Sequence, residues 1–343
     1  MDEPRDPIAD LKRIAFLLEA MQEPGFRVRA FRSAATALAA LSSEEIAERA
    51  SAGRLRELTG VGEVTERTIL ESLRGEPPVY LRRLETTEGT PLAEGAAALR
   101  AALKGDLHAH TEASDGHFTI AEMAEAAIEL GHEYLVITDH SPRLTIANGL
   151  TTERLVAQLD EIERLNASLS PFRLLTGIEV DINEDGSLDQ SDEVLSRLDV
   201  VVGSSHSALR MPSAPMTRRM VIALANPRLD VLGHCTGRMK RKRRDRPEST
   251  FDADIVFAAA ARFDKAIEIN CLPDRLDPPK RLLRLAIESG CRVSIGSDAH
   301  YLGQLAWVRV GCERAFLCGV TPDRIVNALP VNELLAWTKS HEA

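Results

Sequence analysis

Eight of the nine histidines lie between positions 108 and 300, and six of these stand in or beside a short apolar segment that ends in polar residues. The clusters are Asp106-Leu107-His108-Ala109-His110, Thr138-Asp139-His140, Ser204-Ser205-His206, Gly233-His234 and Ser297-Asp298-Ala299-His300. Gly177-Ile178-Glu179 and Glu268-Ile269-Asn270 end two further segments of the same kind. Alternate residues of a strand face the same way, so His108 and His110 point together, as a chelating pair requires. Imidazole with carboxylate is a donor set suited to Zn, Mn or Fe. Imidazoles gathered in this number need either protons or metal. A water bridging such cations loses its proton near neutral pH and becomes a nucleophile. The cations also neutralise phosphate oxygens as charge builds in the transition state. No Ser–His–Asp or cysteine nucleophile is needed, so the chemistry expected is metal-assisted phosphoester hydrolysis. Asp106, Asp139, Ser205 and Asn270 are candidates to hold the second ring nitrogen of the ligating imidazoles.

These residues must be brought together by their elements. From Gly105 onward, short apolar runs alternate with amphipathic helical stretches. Strands are expected at 105–110, 134–140, 174–182, 200–206, 231–235, 266–270 and 292–298. Helices are expected at 120–130, 152–165, 192–198, 217–225, 252–263 and 279–289. That alternation argues for a parallel α/β architecture. No glycine-rich first turn of the open doubly wound type is present, which favours closure into a barrel. Its C-terminal strand ends would converge on one mouth.

Residues 1–75 read as all-helical, with helices over 8–21 and 26–41, and a third beginning near Ser43 as N-cap. Leu58-Thr59-Gly60-Val61-Gly62-Glu63 permits a tight turn into a further helix, whose free backbone N–H groups can bind phosphate. Glycines and prolines punctuate 76–104, which reads as a linker between the helical domain and a barrel over 105–343. Arg238-Met239-Lys240-Arg241-Lys242-Arg243-Arg244-Asp245-Arg246 has seven basic residues in nine. It follows the His234 segment, so it should rim the mouth and attract a phosphate-rich substrate. Arg238 is the expected phosphate clamp, because guanidinium binds two oxygens at once. His117 reads as a solvated loop residue, with leaving-group protonation as its other possible role. His132 reads as a cap on helix carbonyls, and His341 as part of a disordered tail. Cys235 reads as packing.

The chain has 343 residues, 44% apolar and 27% charged, with a net charge of −10. An overall basic electrostatic footprint is excluded, although a local patch can still hold nucleic acid. No apolar run reaches the roughly 20 residues that span a bilayer. The charged start, MDEPRDPIADLKR, lacks a signal-peptide core, so a cytoplasmic protein is expected. Five unpaired cysteines read as reduced packing residues.

His108-Ala109-His110 with Ser114-Asp115-Gly116, Thr138-Asp139-His140, Gly177-Ile178-Glu179, Ser205-His206, Gly233-His234 and Ser297-Asp298-Ala299-His300 resemble, in this order, the polymerase-and-histidinol-phosphatase (PHP) superfamily. His234-Cys235-Thr236-Gly237-Arg238, Glu268-Ile269-Asn270 with Arg275-Leu276-Asp277, and Ile295-Gly296-Ser297 resemble more closely the C-terminal PHP domain of bacterial X-family DNA polymerases. The resemblance implies a distorted seven-stranded (β/α) barrel holding up to three divalent ions, Zn, Mn or Fe. One ion would take His108, His110, Glu179 and Asp298. A second would share Glu179 and add His206 and His234. A third would take Asp115, His140 and His300. Glu179, Asp298 and Arg238 would carry catalysis.

Residues 8–74, with Gly25-Phe26-Arg27-Val28-Arg29-Ala30-Phe31 and the Gly60-Val61-Gly62 turn, are similar to the helix-hairpin-helix domain that opens X-family polymerases. There Gly60 and Gly62 would grip the DNA backbone, and Lys240, Arg241, Lys242 and Arg243 would add rim contacts. The helix Glu63-Val64-Thr65-Glu66-Arg67-Thr68-Ile69 has no lysine, so Schiff-base lyase activity is not implied. The chain passes to the barrel without fingers, palm or thumb, so polymerisation is not implied either. The function expected is 3′–5′ exonuclease or 3′-end processing of DNA. The alternatives are a small-molecule phosphomonoesterase of histidinol-phosphatase or nucleotide-phosphatase type, and a non-catalytic DNA-binding metal protein.

Overall fold

The computed structural model describes residues 5–88, 92–240 and 245–341. The chain divides into two compact units, residues 1–91 and 92–343. The first unit holds α1 (Pro7–Ala20), α2 (Gly25–Ala39), α3 (Ser43–Ser51), α4 (Glu63–Leu73) and α5 (Val79–Glu88). Leu11, Ile14, Leu17 and Leu18 of α1 are buried, with Leu38 and Ile69 from α2 and α4. The cap of α3 is Ser42 rather than Ser43, because Ser42 and Glu45 close a reciprocal capping box. Gly60 stands at φ +98°, and a Cβ there would lie 2.9 Å from the Cβ of Ser33 on α2. The turn before α4 therefore needs glycine for its backbone and for its close approach to α2.

Residues 76–104, read above as a linker, instead contain α5 and α6 (Glu94–Ala102). Their apolar faces are claimed by neighbours. Tyr80 of α5 meets Phe31 of α2 at 4.9 Å between ring centroids. The Phe316 ring lies directly over Gly95 of α6. The punctuating glycines and prolines mark turns, not a structureless run.

The second unit continues with β1 (Gly105–Asp106), α7 (Ile120–Glu129), β2 (Tyr134–Ile137), α8 (Thr152–Leu169), β3 (Arg173–Asp181), α9 (Asp192–Leu195) and β4 (Val200–Ser204). It goes on through α10 (Ser213–Leu224), β5 (Val231–Leu232), α11 (Ala253–Arg262), β6 (Ala266–Asn270), α12 (Lys280–Glu288), β7 (Arg292–Gly296), α13 (Val308–Leu317) and α14 (Val331–Ser340). Seven parallel strands follow one another in sequence order. The circle closes beyond the strands: His110 N–H donates to Ala299 O at 2.8 Å, and Asp298 N–H to His108 O at 2.9 Å.

β1 and β5 are two residues long, shorter than their apolar runs suggest. After Asp106 and Leu232 the backbone leaves the regular ladder but keeps bonding to the neighbouring strand ends. Ala109 N–H, for example, donates to the Thr138 hydroxyl at 3.0 Å.

Leu107, Val136, Leu175, Val202 and Val231 pack together with Val326, Leu334 and Trp337 from the C-terminal segment. The outer helices bury a second layer, which includes Cys235. All five cysteines are buried and free. His341 is no disordered tail: its Nδ1 lies 2.7 Å from Asp230 Oδ1, and its side chain is 2% exposed. His132 caps nothing. Both its ring nitrogens are buried without a hydrogen-bond partner, and Arg100 donates to Leu130 O at 2.9 Å in the capping role. Among the described residues no helix is long and apolar enough to cross a membrane.

Candidate metal centre

All nine residues singled out as ligands stand at or just beyond the C-terminal ends of the strands. β3 is the longest strand and carries Glu179 into the middle of the group. Glu179 Oε1 lies 2.7 Å from His234 Nε2 and 3.3 Å from His206 Nε2. Its Oε2 lies 2.8 Å from His140 Nδ1, 3.6 Å from His108 Nε2 and 3.7 Å from His110 Nε2. Asp298 Oδ1 sits 3.3 Å from His110 Nε2. Asp115, on the loop after β1, has Oδ1 3.3 Å from His300 Nε2 and 3.4 Å from His140 Nε2. Asp298 holds φ +56°, a left-handed backbone that a short carboxylate side chain tolerates and that marks a constrained site.

Three groups have ligand atoms within 4.8 Å of one another: His110 with Asp115, His140 and His300; His108 with His110 and Glu179; and His140 with Glu179 and His206. His110 and His140 each belong to two of them, so the donors form one connected centre.

The donor chemistry fits cations. His108 Nε2, His206 Nε2, His140 Nδ1 and both nitrogens of His110 are buried with no hydrogen-bond partner, a costly state unless something binds them. Protons alone do not resolve the cluster. Burial and the neighbouring His300 and His140 push His110 down to about 4. His140 rises to about 10, because Glu179 and Asp115 outweigh its burial. Against its own burial, Glu179 is held well below the usual carboxylate range by His206, His140 and His108. Adjacent imidazoles driven in opposite directions around shared carboxylates are what a bound cation relieves.

The supports differ from those expected. His108 Nδ1 is held by Glu268 Oε1 at 2.5 Å, and Glu268 Oε2 accepts from His234 N–H at 2.7 Å. His206 Nδ1 meets Asp181 Oδ1 at 3.1 Å, and His300 Nδ1 meets the Asp298 carbonyl at 2.9 Å. Asp106 instead ties the backbone, accepting from His108 N–H at 3.1 Å and Ser297 N–H at 3.2 Å. Asp139 faces away from His140, as alternation requires, and accepts from Thr111, Ser114 and Gln158. Ser205 Oγ touches no ring. Asn270 donates to Asp298 Oδ2 at 3.0 Å. Asp181 carried no sequence signal beyond lying two residues after Glu179, which puts both on one face of β3.

Arg238 is not a free clamp. Its Nε donates to Arg275 O at 2.8 Å and its Nη2 to Leu276 O. It braces the loop that carries Arg275, whose Nε lies 3.3 Å from Asp298 Oδ2 with the side chain 11% exposed. Arg275 Nε and Nη1 are buried without a hydrogen-bond partner. Arg275 is thus the guanidinium at the centre, in the Arg275-Leu276-Asp277 stretch whose spacing marks no site. Lys240 is exposed and its N–H donates to Asp274 O at 2.6 Å. Arg241, Lys242 and Arg243 lie outside the described residues. In the helical unit Gly60 and Gly62 are exposed, but Gly62 N–H already donates to Thr65 Oγ1 at 2.9 Å. His117 stacks on Tyr301 at 4.0 Å, with its Nε2 2.7 Å from the phenol oxygen.

A closed parallel barrel with imidazoles and carboxylates converging at its mouth defines a class, the metal-dependent hydrolases. The PHP domain description matches residues 106–271, and a helix-hairpin-helix domain description matches residues 4–76. The chain is 39% identical over 240 residues to the DNA polymerase/3′-5′ exonuclease PolX of Bacillus subtilis. That match takes in 70% of this chain and 42% of the relative, so the chain spans less than half of its length. A probable phosphatase of Caldanaerobacter subterraneus is 30% identical over 206 residues, 57% of this chain and 75% of that one. Among solved structures, histidinol phosphate phosphatase from Lactococcus lactis, complexed with zinc, L-histidinol and phosphate, is 15% identical with a TM-score of 0.43. It covers 64% of this chain and 94% of its own. The chain belongs to the PHP domain family.

Proposed function

We propose that this chain is a multinuclear metal-dependent phosphoester hydrolase acting on DNA 3′ ends, as a 3′–5′ exonuclease or end-processing enzyme. The observation that carries the hydrolytic reading is Glu179, whose two oxygens face five imidazoles. His108, His110, Glu179 and Asp298 would hold one ion, with Glu179, His206 and His234 for a second and Asp115, His140 and His300 for a third. Bound Zn, Mn or Fe would supply an acidified water as nucleophile and neutralise the phosphate oxygens. Glu268 and Asp181 keep His108 and His206 in the orientation that presents Nε2 to the centre. Arg275, paired through Nε with Asp298, takes a non-bridging phosphate oxygen with its unpartnered Nη1.

The helix-hairpin-helix match and the likeness to the polymerase-exonuclease favour DNA. A small phosphomonoester is the second reading. It is favoured by 15 basic against 17 acidic residues over positions 1–104, and by the Gly62 amide already engaged with Thr65. Turnover of bis-p-nitrophenyl phosphate and of 3′-labelled single- and double-stranded DNA, against p-nitrophenyl phosphate, separates them. Diester preference with loss of the 3′ label supports the DNA reading, and monoester preference replaces it. No turnover with Zn, Mn or Fe leaves only a DNA-binding metal protein.

A further inference from the structure

Arg275 reaches the centre from a short loop, residues 271–278, at the end of β6. Asn270 N–H donates to Asp277 O at 2.8 Å and closes the loop on itself. Inside it the Arg275 and Leu276 amides both donate to Leu272 O, at 2.8 and 2.9 Å. Asp277 is fully buried and accepts from the Thr236 amide at 3.1 Å and from the Thr236 hydroxyl at 2.5 Å. Leu276, next to Arg275, stands at φ +47°. A left-handed backbone is unfavourable for leucine and persists only where the surroundings fix it.

Arg314 of α13 fixes it from behind. The residue is buried. Its Nη1 donates to Asn270 O at 3.2 Å, and its Nη2 donates to Leu276 O at 2.6 Å and to Pro278 O. Those three carbonyls mark the entry of the loop, its strained residue and its exit. The helix that carries Arg314 is itself anchored, for Val308, Cys312 and Ala315 share a core with Ile269, Cys271 and Ile295. A Cβ on Gly311 would stand 2.4 Å from Cys271 Sγ, so helix and strand end are in close contact. Two residues whose backbone or whose neighbour Arg314 holds meet on one carboxylate oxygen. Asn270 Nδ2 donates to Asp298 Oδ2 at 3.0 Å, and Arg275 Nε lies 3.3 Å from the same atom. A buried guanidinium is costly unless its donors are used, and here the carbonyls of a single loop take them. The planar fork suits that task, whereas a lysine is a point charge on a flexible stem.

We infer that Arg314 is a positioning residue: it holds the 271–278 loop in its strained form, so that Arg275 stays beside Asp298 with Nη1 available to the phosphoryl group. Its own bonds go to the loop, and it acts on substrate through Arg275. This rests on the reading of Arg275 as a phosphate contact and adds to it what sets the aim of that contact.

The test uses the full chain loaded with zinc and titrated calorimetrically with inorganic phosphate, with metal content measured alongside. Arg275→Ala should weaken phosphate about 10- to 100-fold, the scale of a lost charged hydrogen bond. Arg314→Lys, which keeps the charge and loses the fork, should weaken it about three- to tenfold with metal content retained. Added to Arg275→Ala, Arg314→Lys should change affinity by less than about twofold, because a residue that acts through another has nothing left to act on. Leu276 supplies a second measurement that leaves Arg314 in place and does not depend on Arg314→Lys folding. A left-handed backbone suits isoleucine least and glycine best. Leu276→Ile should therefore weaken phosphate more than Leu276→Gly does, and only while Arg275 is present. Unchanged affinity in Arg314→Lys, additive losses in the double variant, or a phosphate loss that tracks lost metal overturns the inference and leaves the Arg275 contact standing. Phosphate binding indifferent to Arg275→Ala removes that contact and the inference with it, while turnover of bis-p-nitrophenyl phosphate judges the hydrolase reading separately.

Discussion

Glu179 faces five imidazoles from four strand ends, with Oε1 2.7 Å from His234 and Oε2 2.8 Å from His140. Replacing it removes the charge that every shared donor depends on. Glu179→Gln should lower turnover at least about 10³-fold, on the scale of losing a central electrostatic group. Elemental analysis should show loss of bound metal, while the helical content stays that of the wild type. Arg275 and Arg238 separate a phosphate contact from a brace. Arg275→Ala should cost about 10- to 100-fold in kcat/KM, as expected for losing a charged hydrogen bond to substrate, with metal content retained. Arg238→Ala should lower Tm first, since its partners are the Arg275 and Leu276 carbonyls. A larger activity loss in Arg238→Ala at unchanged Tm would restore it as the clamp. The gathering of those nine side chains at one mouth was legible because histidine and carboxylate are rare together at strand ends. The guanidinium was misassigned because a sequence cannot tell a charge aimed at a backbone carbonyl from one aimed at the mouth. Glu268 and Asp181 escaped a role for a related reason: nothing in sequence marks which carboxylate reaches across a barrel to a ring nitrogen.

The elements explain why those ring nitrogens converge. β3, nine residues long, can place Glu179 and Asp181 on one face, whereas β1 and β5 end after two residues, so that His108, His110 and His234 stand just beyond them on backbone that still bonds to neighbouring strand ends. The apolar runs located every strand, but the expected β1, β2, β4, β5 and β7 overshot, because burial continues past the last ladder hydrogen bond. At the end of β7, Gly296 has no room for a side chain. A Cβ there would stand 2.4 Å from Glu268 Oε1 and 3.0 Å from His108 Cβ. Glu268 cannot yield cheaply, being tied to His108 at 2.5 Å and His234 N–H at 2.7 Å. Gly296→Ala should therefore cost about 1–3 kcal/mol and weaken metal affinity as well, because relief of the clash turns His108 away. A urea midpoint together with a chelator competition assay reads both effects. A midpoint shift with unchanged metal affinity would show that Glu268 does not orient His108.

At the scale of the whole molecule, the barrel is closed beneath by a segment the sequence left blank. Asn327 donates to Gly105 O at 2.8 Å and Ile295 O at 2.9 Å, Trp337 donates to Asp264 at 3.1 Å, and His341 meets Asp230. Residues 302–341 lack the alternation that reveals barrel units, and their partners are distant in sequence, so only the fold exposes their role. His132 gives the second unit an acid weakness independent of the metal centre. It is 5% exposed with neither ring nitrogen bonded, and burial together with Arg100 pushes it down to about 3. Its proton is thus refused in the folded state and accepted in the unfolded one, where an unperturbed histidine titrates near 6.5. The unfolded chain binds more protons between those values. His132 therefore costs no stability above about pH 6.5, and the penalty grows by about 1.4 kcal/mol per pH unit as pH falls toward 3. Other histidines add acid sensitivity of their own, so the difference from a variant isolates this one. In His132→Leu, which keeps the volume near and removes the titration, the urea midpoint should decline less steeply between pH 6.5 and 4.5. The gap from wild type should widen steadily as pH falls, and parallel curves for the two proteins would show that His132 takes up its proton without unfolding the barrel.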